Sequence, residues 1–307
     1  MNRVIITGGT GLIGSALAAD LAIAGYDVVL LTRNPDRARA YRQGIRAAAW
    51  DGRTGEGWGD LANGAFAIVN LAGETIGPMP WYLSNRKERI LASRVNAGRA
   101  VVDAVSRVEN KPRVVVQASA IGYYGSRGEE LLAEDAGPGS DYLSKVCVEW
   151  ENSTATVEVQ GVRRVIIRTG LLLDRQADFL RLTALPFQLY AGGPLGNGRQ
   201  WWSWLHMADE IGAIRFLLET EAARGPYNLA APNPVTNREF GRVLARVLGR
   251  PSYFPTPALA LKLVLGEVAD ELIFASQRAA SNRLQACGYR FQFTDLELAL
   301  RNIYGNP

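Results

Sequence analysis

Three glycines spaced three apart, Gly8, Gly11 and Gly14, stand where a short apolar run stops and a helical pattern begins, in VIITGGTGLIGSALAADLA. Glycine lacks the Cβ that would block a tight turn or the close approach of backbone to a ligand. Gly8 would allow the turn, Gly11 would let backbone approach a pyrophosphate, and Gly14 would bring the next helix against the strand. Leu12 and Ile13 open that helix, so their N–H groups and the positive end of its dipole face the phosphate oxygens. The predicted chemistry is dinucleotide binding. Spaced glycines alone are a weak signal, and the strand before them and the helix after them, ending near Gly25, give it weight.

The next run, Asp27 to Thr32, reads as a second strand and ends in Thr32-Arg33 rather than in an acid. A carboxylate at this point bonds a free ribose 2′-OH, whereas an arginine pairs with a 2′-phosphate. Thr32 and Arg33 therefore point to NADP(H), against the plainer reading of Arg33 as a solvated loop residue. Further strands are expected over Ala47–Asp51, Ala65–Leu71, Arg113–Ser119, Val162–Arg168 and Gly225–Ala230. Helices intervene, one from about Ser84 to Val108 after a proline-punctuated loop, Thr75 to Leu83, that carries Trp81 and Tyr82. Strands alternating with helices predict an α/β fold with a parallel sheet, and ligands bind at the carboxyl ends of such strands. Residues 1–170, with 201–230 returning to them, are expected to form this part. Residues 171–200 and 231–307, broken by Pro251, Pro255, Pro257 and Gly266, should form a smaller, mostly helical substrate lobe.

TGGTGLIG (residues 7–14) resembles the fingerprint of extended and atypical short-chain dehydrogenase/reductases. NLAGE (70–74), SAIGYYG (119–125), DYLSKVCVEWE (141–151), GNGRQWWSWLHMAD (196–209) and NPVTNREFGRVLARVLGRP (233–251) are similar to one group within them. That group is described as epimerase family proteins, or nucleoside-diphosphate-sugar epimerase-like, and the likeness covers nearly all 307 residues. It implies a Rossmann-like, doubly wound parallel sheet, NADP(H) as cofactor and a helical C-terminal substrate lobe, but no particular reaction.

The resemblance also assigns positions. It places Asp51 near the adenine and the backbone of Leu71, Ala72 and Gly73 beside the nicotinamide-side ribose. Arg94 stands where these proteins carry an asparagine, which implies a phosphate or carboxylate contact in the cofactor cleft. The catalytic serine or threonine falls on Ala120 when counted back from Tyr124, and on Ser119 when counted from Tyr123. In the Tyr-x-x-x-Lys motif the lysine is Lys145, the tyrosine position holds Asp141, and Tyr142 is one residue off. One residue turns a helical side chain by about 100°, so Tyr142 is a poor substitute. Ser119, Tyr124 and Lys145 are the expected catalytic set, with Lys145 also on the cofactor, and Arg199 is the expected reader of a substrate diphosphate.

Composition excludes other classes. Hydrophobic residues make up 48% and charged residues 21%, ordinary for a globular protein, and the net charge of +4 is scattered, so no nucleic-acid stripe is expected. One histidine, His206, and two cysteines, Cys147 and Cys287, lack metal-ligand spacing, and no zinc site or disulfide framework is expected. His206 reads as structural rather than catalytic. No apolar run approaches the ~20 residues that span a bilayer, and a strand starting at Arg3 leaves no room for a signal peptide, so a cytoplasmic protein is expected. The expected function is an NADP(H)-binding oxidoreductase or epimerase acting on a small or nucleotide-linked substrate. The alternative is a catalytically silent NADP(H)-binding sensor or assembly protein. The expected partners are a small-molecule substrate and a second copy in a homodimer, not nucleic acid or membrane.

Overall fold

The structure, a computed structural model, describes residues 2–35, 44–77, 81 and 85–305. The chain alternates strand and helix: β1 (Arg3–Thr7), α1 (Leu12–Ile23), β2 (Asp27–Thr32), β3 (Ile45–Ala49), β4 (Ala67–Asn70), α2 (Arg86–Arg107) and β5 (Val114–Ala120). There follow β6 (Leu131–Leu132), α3 (Tyr142–Asn152), β7 (Arg163–Thr169), β8 (Leu171–Leu173), α4 (Asp178–Gln188), β9 (Trp201–Trp202), β10 (Trp204–His206) and α5 (Met207–Glu219). The last elements are β11 (Gly225–Leu229), β12 (Val235–Thr236), α6 (Asn237–Leu248), α7 (Ala258–Leu265), β13 (Arg278–Ala279), α8 (Asn282–Ala286) and α9 (Leu296–Tyr304). The helix expected after Pro35, and Tyr82, lie outside the described residues.

Seven strands form one sheet in the order β11-β7-β5-β4-β1-β2-β3, every pair parallel. The chain reverses direction across the sheet between β1 and β4, and at such a switch point the strand ends part to leave a crevice. Period-two alternation sets the layers. Val4, Ile6, Val114, Val116, Val165 and Ile167 pack against α1 and α5. Ile5, Val29, Ile68 and Val115 face the other way, onto α2 and the Trp50–Trp58 pair. Such fully buried aliphatic side chains contribute roughly 1.5–3 kcal/mol each, so a polar residue at Ile6 would undo both packing and register.

The second lobe is built on Trp202, Phe179 and Phe240, stacked edge to face, with α4, α6 and α9 around them. Here the outcome differs from expectation in one respect. The segment 201–206 does not rejoin the main sheet: β9 pairs with β12 and β10 with β8, and only β11 returns as the edge strand. Among the described residues no helix is long and apolar enough to cross a membrane.

Candidate cofactor and catalytic site

The glycine loop closes as its spacing requires. Gly8 adopts a φ of +64°, and the Gly11 N–H donates to the Gly8 carbonyl at 2.9 Å. A Cβ on Gly8 would lie 2.9 Å from the Leu71 carbonyl group, and one on Gly14 would lie 2.4 Å from the Gly8 oxygen. Gly11 is the N-cap of α1 with no side-chain cap, and the first turn, which includes Leu12 and Ile13, carries no acid. Its N–H groups are therefore left for an anion. The N-terminus of α3 is the opposite case. Asp141 caps it through the Ser144 N–H at 2.7 Å, and Glu271, reaching over from the C-terminal region, accepts the N–H groups of Tyr142 (3.2 Å) and Leu143 (2.8 Å).

Beyond β2, Thr32 is buried and its hydroxyl accepts the Asn34 N–H at 3.2 Å, while Arg33 is exposed. Asp51 spends its carboxylate on its own turn. Although burial opposes ionisation, the N–H groups of Thr54 and Arg53 and the Thr54 hydroxyl hold it below the usual carboxylate range. Leu71, Ala72 and Gly73 run over Gly8, fixed by buried polar residues that the sequence reading did not single out. Thr7 donates to Asn70 at 2.6 Å, Asn70 to Gln117 at 2.9 Å, and the Thr7 hydroxyl accepts the Ala72 N–H at 3.2 Å.

Arg94 supports the same loop from beneath. It is 7% exposed, and its Nη1 donates to the Glu74 carbonyl at 3.0 Å and the Ile90 carbonyl at 3.1 Å. Its guanidinium lies 4.8 Å from the Trp150 ring centre and would meet a Cβ on Gly73 at 3.0 Å. Burial lowers its pKa, and its Nε has no partner. Its contacts are thus with loop backbone and Trp150.

The expected catalytic residues lie differently from one another. Ser119 is buried and donates to Glu151 at 2.6 Å. Arg168 binds both oxygens of Glu151, at 2.9 and 3.0 Å, and donates through Nη1 to the Tyr124 hydroxyl at 3.0 Å. Tyr124 is fully buried and donates to Asn228 at 2.7 Å, and burial pushes its phenol pKa up. This differs from the expectation for Tyr124: its hydroxyl donates to Asn228 and accepts from Arg168 inside the protein, with the side chain fully buried. Ser119 is likewise committed to Glu151. Tyr123, by contrast, is half-buried, its ring stacked 3.5 Å from the Arg168 guanidinium, with its hydroxyl unbonded among the described residues.

Tyr142 opens α3 and donates to the Lys87 carbonyl at 2.5 Å, with burial raising its pKa to about 12. It is held against α2 and Trp81. Lys145, one turn further along α3, is exposed and makes no side-chain bond among the described residues. Arg199 is also exposed, following the Gly196–Gly198 turn, and only its backbone N–H is bonded, to Asn197 at 2.9 Å. His206 caps α5 by accepting the Ala208 N–H, a structural role.

The comparisons with known proteins bear on the family and the fold. The model of the NAD dependent epimerase/dehydratase family matches residues 4–230, and a domain of unknown function (DUF1731) matches residues 256–303. The chain is 35% identical over 302 residues to the epimerase family protein YfhF of Bacillus subtilis, covering 98% of this chain and 97% of that one. The crystal structure of human epimerase family protein SDR39U1 (isoform 2) with NADPH matches with a TM-score of 0.85 and 29% identity, over 99% of this chain and 100% of that one. A nucleoside-diphosphate sugar epimerase from Corynebacterium glutamicum matches with a TM-score of 0.79 and 32% identity, over 99% of this chain and 58% of that one. The sheet order, the glycine loop and these matches together place the chain in the NAD-dependent epimerase/dehydratase family.

Proposed function

We propose that the chain binds NADP(H) in preference to NAD(H) and acts as an oxidoreductase or epimerase of the short-chain dehydrogenase/reductase type on a small or nucleotide-linked substrate. The observation that carries this reading is the bare N-terminus of α1 behind Gly8, Gly11 and Gly14. The pyrophosphate takes the free N–H groups there, and Arg33 pairs with the 2′-phosphate. Leu71, Ala72 and Gly73 pass the ribose on the nicotinamide side, with Lys145 as its cation. The NADPH in the human relative supports the choice of cofactor. Arg199, exposed and unbonded at the lobe surface, is the residue for a substrate phosphate.

Titration of the purified protein with NADPH and NADH, followed by tryptophan fluorescence, tests the reading. Saturable binding with NADPH tighter is expected, and equal affinity for the two defeats the preference.

A second reading, cofactor binding without turnover, is favoured by one observation. The Ser119 and Tyr124 hydroxyls are both consumed in the buried Glu151–Arg168 network, and Asp141 replaces the usual tyrosine as a helix cap. Incubation with NADPH and a panel of carbonyl and nucleotide-sugar compounds separates the two, since only an enzyme consumes the reduced cofactor.

A further inference from the structure

Two neighbouring acids open α5, and the fold treats them differently. Asp209 is fully buried and satisfied, its oxygens accepting the N–H groups of Gln292 (2.7 Å) and Phe293 (2.9 Å) and the Tyr289 hydroxyl (3.1 Å). Glu210 is also fully buried, yet its Oε1 has one partner, the Thr169 hydroxyl at 2.9 Å, and its Oε2 has none. Among the described residues no cation offsets the burial: Arg215 on the same helix is engaged with Asp20, and Arg168 points to Glu151. A carboxyl left half-satisfied in the interior costs several kcal/mol as an ion and far less as a neutral acid. Burial accordingly raises its pKa to about 8, with the Thr169 bond acting the other way, which favours the protonated acid near neutral pH.

The place of Thr169 gives that proton an exit. Thr169 is the last residue of β7, half-buried, at the carboxyl edge of the sheet where ligands bind. It is paired in register with Ala120, the last residue of β5, and with Leu229 of β11. Adjacent strands lie about 4.8 Å apart, so its hydroxyl stands one strand over from a residue that has none. The 119–124 segment buries the hydroxyls of Ser119 and Tyr124, and Thr169, unlike the half-buried Tyr123, is a hydroxyl at this edge bonded to a buried acid.

We propose that Thr169 and Glu210 are the proton-delivering pair of this site, with Glu210 holding the proton and the Thr169 hydroxyl passing it to the oxygen of a carbonyl compound bound over the ends of β5 and β7. This rests on the reading of the chain as an NADP(H)-dependent oxidoreductase or epimerase. When bound, the reduced cofactor would supply hydride to the carbonyl carbon, and the π-electron pair would move onto oxygen. The Thr169 hydroxyl, which at rest donates to Glu210 Oε1 at 2.9 Å, turns its proton to that oxygen, its own oxygen then accepts the Glu210 proton, and Glu210 is left as carboxylate until the sequence reverses. The carbonyl is reduced and the cofactor oxidised. Thr169 is the catalytic residue, since it touches the reacting oxygen, and Glu210 acts through it.

Infrared difference spectroscopy of the full chain tests this without any substrate. The protonated-carboxyl stretch of Glu210 is identified at neutral pH as the band lost in Glu210→Gln, and its shift is then followed after transfer into D2O. A buried proton without a relay exchanges only when the structure opens. Exchange should be fast in the wild type, slower by at least about tenfold in Thr169→Val, and restored in Thr169→Ser, which keeps the hydroxyl. Absence of a band lost in Glu210→Gln, or exchange in Thr169→Val as fast as in the wild type, overturns the proposal. Failure of NADPH to bind would overturn the functional reading instead, and the two results are independent.

Discussion

Ser119, at the carboxyl end of β5, donates its hydroxyl proton to Glu151 of α3 at 2.6 Å, and the same carboxylate is forked by Arg168 of β7. All three are buried, so the residue at an expected catalytic position is part of the interior that ties strand, strand and helix together. Removing one partner of a buried ion pair costs about 3–5 kcal/mol, and removing a hydrogen bond to a charged group about 1.5–3 kcal/mol. Glu151→Gln should therefore lower stability most, Ser119→Ala and Tyr124→Phe less, all without weakening NADPH binding. Urea unfolding beside cofactor titration checks this. Unchanged unfolding with lost cofactor-dependent turnover in Ser119→Ala would restore a catalytic role to it.

How much of this was legible in the sequence depended on the range of the interactions. Gly8 to Gly14 could be read because turn, close approach and helix start are all local. The strands could be read because Val4–Ile6 and Val114–Val116 are apolar runs with few other uses. Whether Tyr123 or Tyr124 faces outward could not, because it turns on Arg168 and Asn228, 44 and 104 residues further on. Nor could Glu210 be noticed. A glutamate in a helical first turn is the commonest of surface residues, and only the packing of α5 beneath β7 makes it an interior acid. Asp141 stands both four residues before Lys145, the tyrosine position of the motif, and immediately before the first residue of α3, so the motif spacing masks its capping role.

Arg33 should set the choice of cofactor. It is exposed at the end of β2, and the described residues that follow that strand, Arg33 to Pro35, include no carboxylate for a free 2′-OH. Loss of a charge-assisted contact of this kind costs about 1.5–3 kcal/mol, or roughly ten- to a hundredfold in affinity. Arg33→Ala should lose that much for NADPH and little for NADH. Equal losses for the two cofactors would assign Arg33 to some other part of the nucleotide.

On α3, Tyr142 and Lys145 should separate. Tyr142 gives its hydroxyl to the Lys87 carbonyl and packs on Trp81, whereas Lys145 is exposed and unbonded. Tyr142→Phe should cost about 1 kcal/mol of stability and leave NADPH affinity unchanged. Lys145→Ala should leave stability unchanged and weaken NADPH several-fold. The reverse pattern, in paired melting and binding experiments, would show that Tyr142 rather than Lys145 faces the cofactor.

The buried acid also predicts a stability profile in which only the difference between two proteins matters. The Glu210 pKa is raised by burial from the ordinary 4.5 to about 8 in the folded chain. Between those values the folded state holds a proton that the unfolded state releases, so folding stability falls as pH rises through the window. Below about pH 4.5 both states are protonated and the penalty vanishes. Above about pH 8 it is complete, on the order of 5 kcal/mol if the whole shift is expressed. Glu210→Gln keeps the size and an acceptor for Thr169 but does not titrate. The wild type should therefore lose stability relative to Glu210→Gln between pH 5 and pH 9, most steeply near the middle of the window at about pH 6 and levelling off above about pH 8. Denaturant melts of both proteins across that range are the measurement. A constant difference would mean that Glu210 has the same proton affinity folded and unfolded, and would overturn the assignment of a raised pKa to this buried carboxyl with its partnerless Oε2.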